Sequence, residues 1–212
     1  MAAKNQDLHG NVPDNSATAL LLIDLINDFE FEAPEEAEAL FKHALPMAQR
    51  IAALKRRAKQ AGIPVIYVND NFGKWQSDLR KLIRHCLDDG VRGEPVVKLL
   101  QPDEDDYFVL KPKHSGFFST PLDTLLDYLK AKTLIITGVA GNICILFTAS
   151  DAFMRDFHLI IPADCVASND PEENRAALEQ MRKVLKADIT PSTELNLATL
   201  TAKATHSGQT EP

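Results

Sequence analysis

The hydrophobic pattern alternates between short apolar runs and longer stretches with helical periodicity. Ala17 to Ile23 (ATALLLI) is apolar over the length of a strand and stops at Asp24, which predicts a strand buried on both faces, as in a parallel sheet. Met47, Ile51, Leu54 and Ala58 then recur at spacings of three and four, with Gln49, Arg50, Lys55, Arg56 and Lys59 on other faces and Gly62 where a helix terminator belongs. Pro64 to Val68 (PVIYV) is a second strand. From Asn69 to Gln101 the pattern loosens into an Asn/Gly-rich loop, a helix from Ser77 to Leu87 and a Gly/Pro-punctuated connection from Gly90 to Pro95, and this stretch is read as the lid or pocket wall.

Tyr107 to Leu110 (YFVL) is a third strand. It ends at Lys111 because Pro112 forces its predecessor into an extended conformation and cannot donate to the ladder. A helix over Pro121 to Lys132, a fourth strand over Leu134 to Thr137, a tight turn over Gly138 to Asn142, a helix over Ile143 to Phe157 and a fifth strand over His158 to Ile161 follow. Asp170 caps a last helix, with Pro171 in its first position and Glu173 at capping-box spacing. Ala187 to Thr190 reads as a final short strand, and the end from Ala202 as frayed.

This alternation predicts a three-layer α/β/α fold with a mainly parallel central sheet and right-handed crossovers. A chain of 212 residues, 45% hydrophobic and 25% charged, suits one domain, assigned to residues 17–201 between flexible segments at 1–16 and 202–212. The net charge of −7 offers no overall attraction to nucleic acid or an anionic membrane. Cys86, Cys144 and Cys165 lack the spacing of a disulfide framework or a zinc knuckle and point to a reducing compartment. With a polar N-terminus and no apolar run long enough to span a bilayer, a soluble cytoplasmic protein is expected.

In open α/β sheets the ligand crevice lies beyond the carboxyl ends of the strands, so the polar strand ends Asp24, Asn69, Lys111 and the Gly138 to Cys144 turn are the candidates for chemistry. A carboxylate at Asp24 is costly unless paired or solvated. A lysine ending a strand is ordinarily a solvated surface residue, and either Lys111 or Lys113 could reach a crevice, but only Lys111 is fixed at the strand terminus. Cys144 lies just inside a helix for which Asn142 is placed as the cap. There the first-turn amides and the helix dipole are expected to lower its thiol pKa and make it nucleophilic, whereas Cys86 and Cys165 suit the role of small buried hydrophobes. An acid, a cation and a helix-terminal thiol at three parallel strand ends form a credible covalent site.

The runs ALLLIDLINDF (19–29), VLKPKHSGFFSTPLD (109–123), TGVAGNICILFTASDAF (137–153) and LIIPADCVAS (159–168) resemble the isochorismatase-like cysteine hydrolases, which include nicotinamidases, N-carbamoylsarcosine amidase, ureidoacrylate and biuret hydrolases, and isochorismatase itself. The resemblance covers residues 17 to 192 in matching order. It implies a Rossmann-like fold, a catalytic triad of Asp24, Lys111 and Cys144, and a cis peptide bond between Val139 and Ala140. It further implies an oxyanion hole made by the backbone amides of Ala140 and Cys144, and a homo-oligomer acting on a small-molecule substrate.

The chain also departs from the family pattern. The metal-binding histidines that nicotinamidases carry after the second strand are missing from Asn69-Asp70-Asn71-Phe72-Gly73-Lys74-Trp75, so neither a metal nor any other cofactor is expected, and nicotinamide is a poor substrate guess. Ile26 replaces a frequent Gln, Lys113-His114 a frequent Arg-Tyr, and Gly141 a frequent Thr or Ser. Phe29, Asn71, Trp75 and Phe117 flank the motif loops and are the candidate pocket walls, although aromatic residues there equally serve core or subunit contacts. His114, a loop residue, is more often merely solvated. The stretch Lys74 to Arg84 either steers a carboxylate substrate or is a solvated helix face. The expected activity is cysteine-dependent hydrolysis of a C–N bond in a small linear amide, carbamoyl or ureido compound through a thioester. The rival readings are a vinyl-ether hydrolase of the isochorismatase type, disfavoured by Cys144, and a non-catalytic binding relative.

Overall fold

The computed structural model of the chain describes residues 16–72 and 78–202. Apart from Ser16 and Ala202, the segments expected to be flexible lie outside these residues, as does Trp75. Six parallel strands form one sheet: β1 (Thr18–Ile23), β2 (Val65–Asp70), β3 (Tyr107–Lys111), β4 (Thr133–Val139), β5 (His158–Ile160) and β6 (Val166–Ala167). The order across the sheet is β3-β2-β1-β4-β5, with β6 pairing with β4 beyond its partnership with β5. Because β1 sits between β2 and β4, the chain winds outward in both directions from it. The switch point, where crevices open in such sheets, lies beyond the ends of β1 and β4.

Period-2 alternation divides the strands between two cores. Leu20 and Leu22 of β1, Val65 and Tyr67 of β2, and Ile135 and Val139 of β4 face one core, packed by α1 (Pro34–Gln60), α2 (Leu79–Asp88) and α3 (Glu94–Leu99). Leu21, Ile23, Ile66, Val68, Leu134 and Ile136 face the other, packed by α4 (Leu122–Leu129), α5 (Leu146–Phe153) and α6 (Pro171–Val184). A short α7 (Leu197–Ala202) closes the described chain. Each fully buried Leu or Ile contributes about 1.5–3 kcal/mol, which explains why a sequence apolar on both strand faces adopts this layering. Among the described residues, no helix is long and apolar enough to cross a membrane.

Several elements differ from the sequence reading. The Gly/Pro-punctuated connection contains helix α3, because Gly93 precedes its first turn and Pro95 occupies a position where a missing amide costs nothing. The final strand at Ala187 to Thr190 reduces to a single bridge between Ile160 and Asp188. The helix carrying Cys144 begins as a π-helical turn, Gly141–Ile145, with no side-chain cap; Asn142 instead sends its Nδ2 to Glu173 at 2.7 Å. Asp170 caps α6 as its spacing predicts, accepting from the Glu172 and Glu173 amides.

Away from the crevice, Lys55 pairs with Asp106 at 2.6 Å and donates to the Tyr67 hydroxyl, tying the approach to β3 onto α1 and β2. At the crevice, Gly138 has φ of +123° and backs directly onto Ile23, so an added Cβ would collide with the Ile23 carbonyl. Gly138→Ala therefore meets both conformational strain of about 1–3 kcal/mol and a clash beside Asp24. Gly62→Ala, at φ +72° with open space around it, meets strain alone. Urea denaturation is expected to show a larger loss of midpoint for Gly138→Ala than for Gly62→Ala; equal losses would contradict this packing.

Candidate active site

Three strand ends deliver the three predicted side chains to one point. Asp24 follows β1 in the left-handed region at φ 54°, a conformation Asp tolerates better than most residues. Its amide donates to the Val68 carbonyl at 3.0 Å, and its Oδ1 accepts the Asp70 amide at 2.7 Å. Lys111 is the last residue of β3, opposite Asp70 in the β2–β3 register, and is wholly buried. Cys144 lies in the π-helical turn after β4, where the Ala140 carbonyl accepts the amides of Ile143 and Ile145. The Val139–Ala140 peptide bond is cis. Gly141 is demanded by closeness, since a Cβ there would collide with Asn174 and crowd Val166 and Ser168. This accounts for the absence of a larger residue in the turn before Cys144.

Lys111 Nζ stands 2.9 Å from Asp24 Oδ2, 3.5 Å from Cys144 Sγ and 3.4 Å from Asp70 Oδ2. Burial lifts the Asp24 carboxyl above its ordinary value, opposed chiefly by the Lys111 ammonium and to a lesser degree by the Cys144 thiol and the Asp70 amide. Burial also works against the charge on Lys111, but Asp24, Cys144 and Asp70 together outweigh it and hold the ammonium above its usual range. The Cys144 thiol is pushed up to about 12, first by burial and then by the Asp24 carboxylate, with Lys111 pulling the other way. This corrects the expectation of a thiol lowered by a helix terminus: the dry surroundings and the adjacent carboxyl dominate, so the thiol rests neutral beside the Asp24–Lys111 contact.

The same burial pushes Cys86 and Cys165 up to about 12. Cys144 differs from them in its partners and in being only partly buried, whereas they are enclosed. Two proposed pocket walls are core residues. Phe29 is fully buried against Phe31 and Phe41, and Phe117 packs in the opposite core beside Phe157, under the Arg155 guanidinium. Both lie in motif loops whose aromatic side chains fold back under the loop. Asn71 is buried just beyond β2, where its amide donates to the Lys111 carbonyl. Asn69, a strand-end candidate, is a bracket: its side chain holds both the amide and the carbonyl of Ile26 at 3.1 and 2.8 Å, fixing the loop after Asp24. His114 is exposed, its ring 5.5 Å from that of Phe147.

Sequence reasoning missed Asp70, which ends β2 one residue beyond Asn69, and the stitches that hold the Lys111 loop to the helix that follows Cys144. Gly116 donates its amide to Thr148 Oγ1 at 2.9 Å, and Ser115 hydrogen-bonds Asp151. The TASD run (148–151) after Cys144 held that signal, since Thr148 and Asp151 fall one and two turns beyond Cys144. Among the described residues, the one grouping of three carboxylates able to hold a metal ion is Asp103, Asp105 and Asp106. It lies at the opposite end of β3 and is engaged by Lys55 and Lys59.

The isochorismatase domain matches residues 18–193. The chain is 44% identical over 177 residues to the uncharacterized isochorismatase family protein YaaI of Bacillus subtilis, covering 84% of this chain and 95% of that one. It is 30% identical over 188 residues to the ureidoacrylate amidohydrolase RutB of Methylobacterium radiotolerans, covering 78% and 73%. The crystal structure of N-carbamoylsarcosine amidase from Thermoplasma acidophilum superposes with a TM-score of 0.64 at 28% identity, over 84% of this chain and 98% of that one.

With the thiol at about 12, only the small thiolate fraction reacts with an alkylating agent. The rate of Cys144 alkylation by iodoacetamide is expected to climb about tenfold per pH unit from pH 7 to 10 without levelling off. Asp24→Asn, which removes the opposing carboxylate, moves that climb to lower pH, and Lys111→Met moves it to higher pH. A plateau near neutral pH in the wild type would contradict the resting neutral thiol.

Proposed function

The chain belongs to the isochorismatase family, and on that premise we propose that it is a cysteine-dependent amidohydrolase cleaving a C–N bond in a small linear amide, carbamoyl or ureido compound. The observation that carries the reading is the placing of one buried ammonium within 2.9 Å of a carboxylate and 3.5 Å of a thiol. Amidohydrolase activity is named for relatives, RutB among them.

In this mechanism Asp24 takes the proton from Cys144 Sγ as the sulfur attacks the substrate carbonyl carbon. Negative charge thereby moves from Asp24 to sulfur, and then to the carbonyl oxygen. Lys111 faces both of the first two positions, so the transfer opens no unpaired charge in a buried site. An Asp24 carboxyl lifted by burial is a stronger base than an exposed aspartate and is suited to holding that proton for a moment. The amides of Ala140 and Cys144 are assigned to the carbonyl oxygen as it becomes an oxyanion, where each such donor is commonly worth about 2.7–4 kcal/mol.

Collapse of the tetrahedral species breaks the C–N bond while Asp24 passes its proton to the departing nitrogen. Ammonia or an amine leaves, and an acyl group remains on Sγ as a thioester. Water then attacks the thioester carbon, giving up a proton to Asp24. The C–S bond breaks, the sulfur recovers the proton, and the acid departs.

Incubation with a panel of primary amides, ureas and N-carbamoyl compounds, read by ammonia release, is expected to reveal hydrolysis that falls at least about 1000-fold in Cys144→Ala. Circular dichroism should remain unchanged, and quenched wild-type reactions should show an acyl mass on Cys144. Turnover that persists in Cys144→Ala, or release of a ketone or aldehyde from a vinyl ether with no amide cleaved, would overturn the assignment.

A further inference from the structure

The catalytic cluster holds one carboxylate more than the proposed chemistry uses. Asp70 Oδ2 lies 3.4 Å from Lys111 Nζ, and Oδ1 accepts the Phe72 amide at 2.6 Å. Its side chain is 31% exposed, against 9% for that of Asp24. Asp70 supports Asp24 through its backbone amide, not its carboxylate. Lys111 already has a closer partner in Asp24, so the cluster carries two formal negative charges against one positive. A carboxylate only accepts hydrogen bonds. Asp70 Oδ2 and Cys144 Sγ share the Lys111 nitrogen as a partner, at 3.4 and 3.5 Å, so one cation separates this carboxylate from the thiol.

A substrate carbonyl carbon pressed against Sγ carries three groups. The oxygen goes to the oxyanion donors, the leaving nitrogen is served by Asp24, and the third group is left to face Asp70. If that third group is a CH2, as in a simple carboxamide, the carboxylate loses water and gains no donor. If it is an N–H, the carboxylate gains a charge-assisted hydrogen bond, and if it carries a negative charge, the two repel. We infer that Asp70 is a substrate-binding residue that accepts this second N–H, so that the site takes neutral or cationic ureido and carbamoyl compounds in preference to simple carboxamides and anionic amides.

The inference rests on the cysteine amidohydrolase reading and narrows its substrate class. For R–NH–CO–NH2, the Sγ–C bond forms and the C–NH2 bond breaks. The thiol proton leaves with ammonia, and an S-carbamoyl cysteine remains. Water then adds to that carbon and the C–S bond breaks, releasing R–NH–COOH and restoring the thiol.

n-Butylurea and hexanamide differ only by N–H against CH2 beside the carbonyl, and their binding can be read as protection of Cys144 from brief iodoacetamide treatment, followed by intact mass. In the wild type, butylurea is expected to half-protect at a concentration about tenfold or more below that of hexanamide, the margin of a hydrogen bond to a charged group. Asp70→Ala should close the gap, and Asp70→Asn, which keeps an acceptor oxygen and is the gentler change for folding, should narrow it. Equal protection by the two compounds in the wild type, or equal weakening of both in Asp70→Ala, would overturn the inference by reducing Asp70 to a positioning residue for Lys111. The Cys144-dependent hydrolysis of the wider panel would then still stand. If neither compound protects, the inference falls, and the ammonia-release panel decides the broader reading on its own.

Discussion

The site depends on a single buried cation. Lys111 has no exposed surface, and an ammonium in such a place is sustained only by negative or polar partners that outweigh its lost hydration. Asp24, Asp70 and Cys144 are those partners. Each comes from a different strand end, so the ion cluster is also a set of distance constraints on β1, β2, β3 and the turn after β4. The resting state this produces is a neutral thiol, not a standing thiolate. In the proposed reaction the sulfur becomes nucleophilic only as its proton moves to Asp24, and Lys111 can balance the charge before and after the move because it touches both atoms.

Parallel pairing makes such a meeting possible. The carboxyl ends of adjacent parallel strands lie at one edge of the sheet, and the order β3-β2-β1-β4 brings residues as distant in sequence as 24, 70, 111 and 144 to neighbouring positions. The supports are mostly backbone and small polar groups. The Asp70 amide holds Asp24, Asn69 brackets Ile26, Thr148 takes the Gly116 amide, and Ser168 Oγ accepts the Asn142 amide at 3.3 Å. Gly138 and Gly141 let β1 and α6 approach the Cys144 turn more closely than any side chain would allow.

Much of this was legible in the sequence for physical reasons. Strands buried on both faces leave continuous apolar runs, and a charged residue at the end of such a run, as at Asp24 and Lys111, marks the one place where the strand meets water or a partner. The helix α6 was legible because its cap, proline and acidic first turn act locally. What was not legible depends on tertiary contacts. Asp70 follows Asn69 directly, and nothing in the spacing says which of the two side chains points at Lys111. Phe29 and Phe117 look like wall residues until their loops fold back over the two cores. The thiol of Cys144 was expected to be acidic from its helix position, but the neighbouring carboxylate and the loss of water reverse the sign, and both come from other parts of the chain.

The most direct test of the central claim is the protonation state of Asp24 with and without its cation. Carbon-13 labelling of aspartate, with Asp24 assigned by its loss in Asp24→Asn, allows its carboxyl to be titrated in the wild type and in Lys111→Met. The account predicts that Lys111 holds the Asp24 carboxyl of the wild type below where burial alone would set it. In Lys111→Met, where the largest opposition to burial is lost, it predicts an Asp24 that titrates at markedly higher pH. An Asp24 titration unchanged by the loss of Lys111 would mean that the ammonium does not govern the site, and the account would fail.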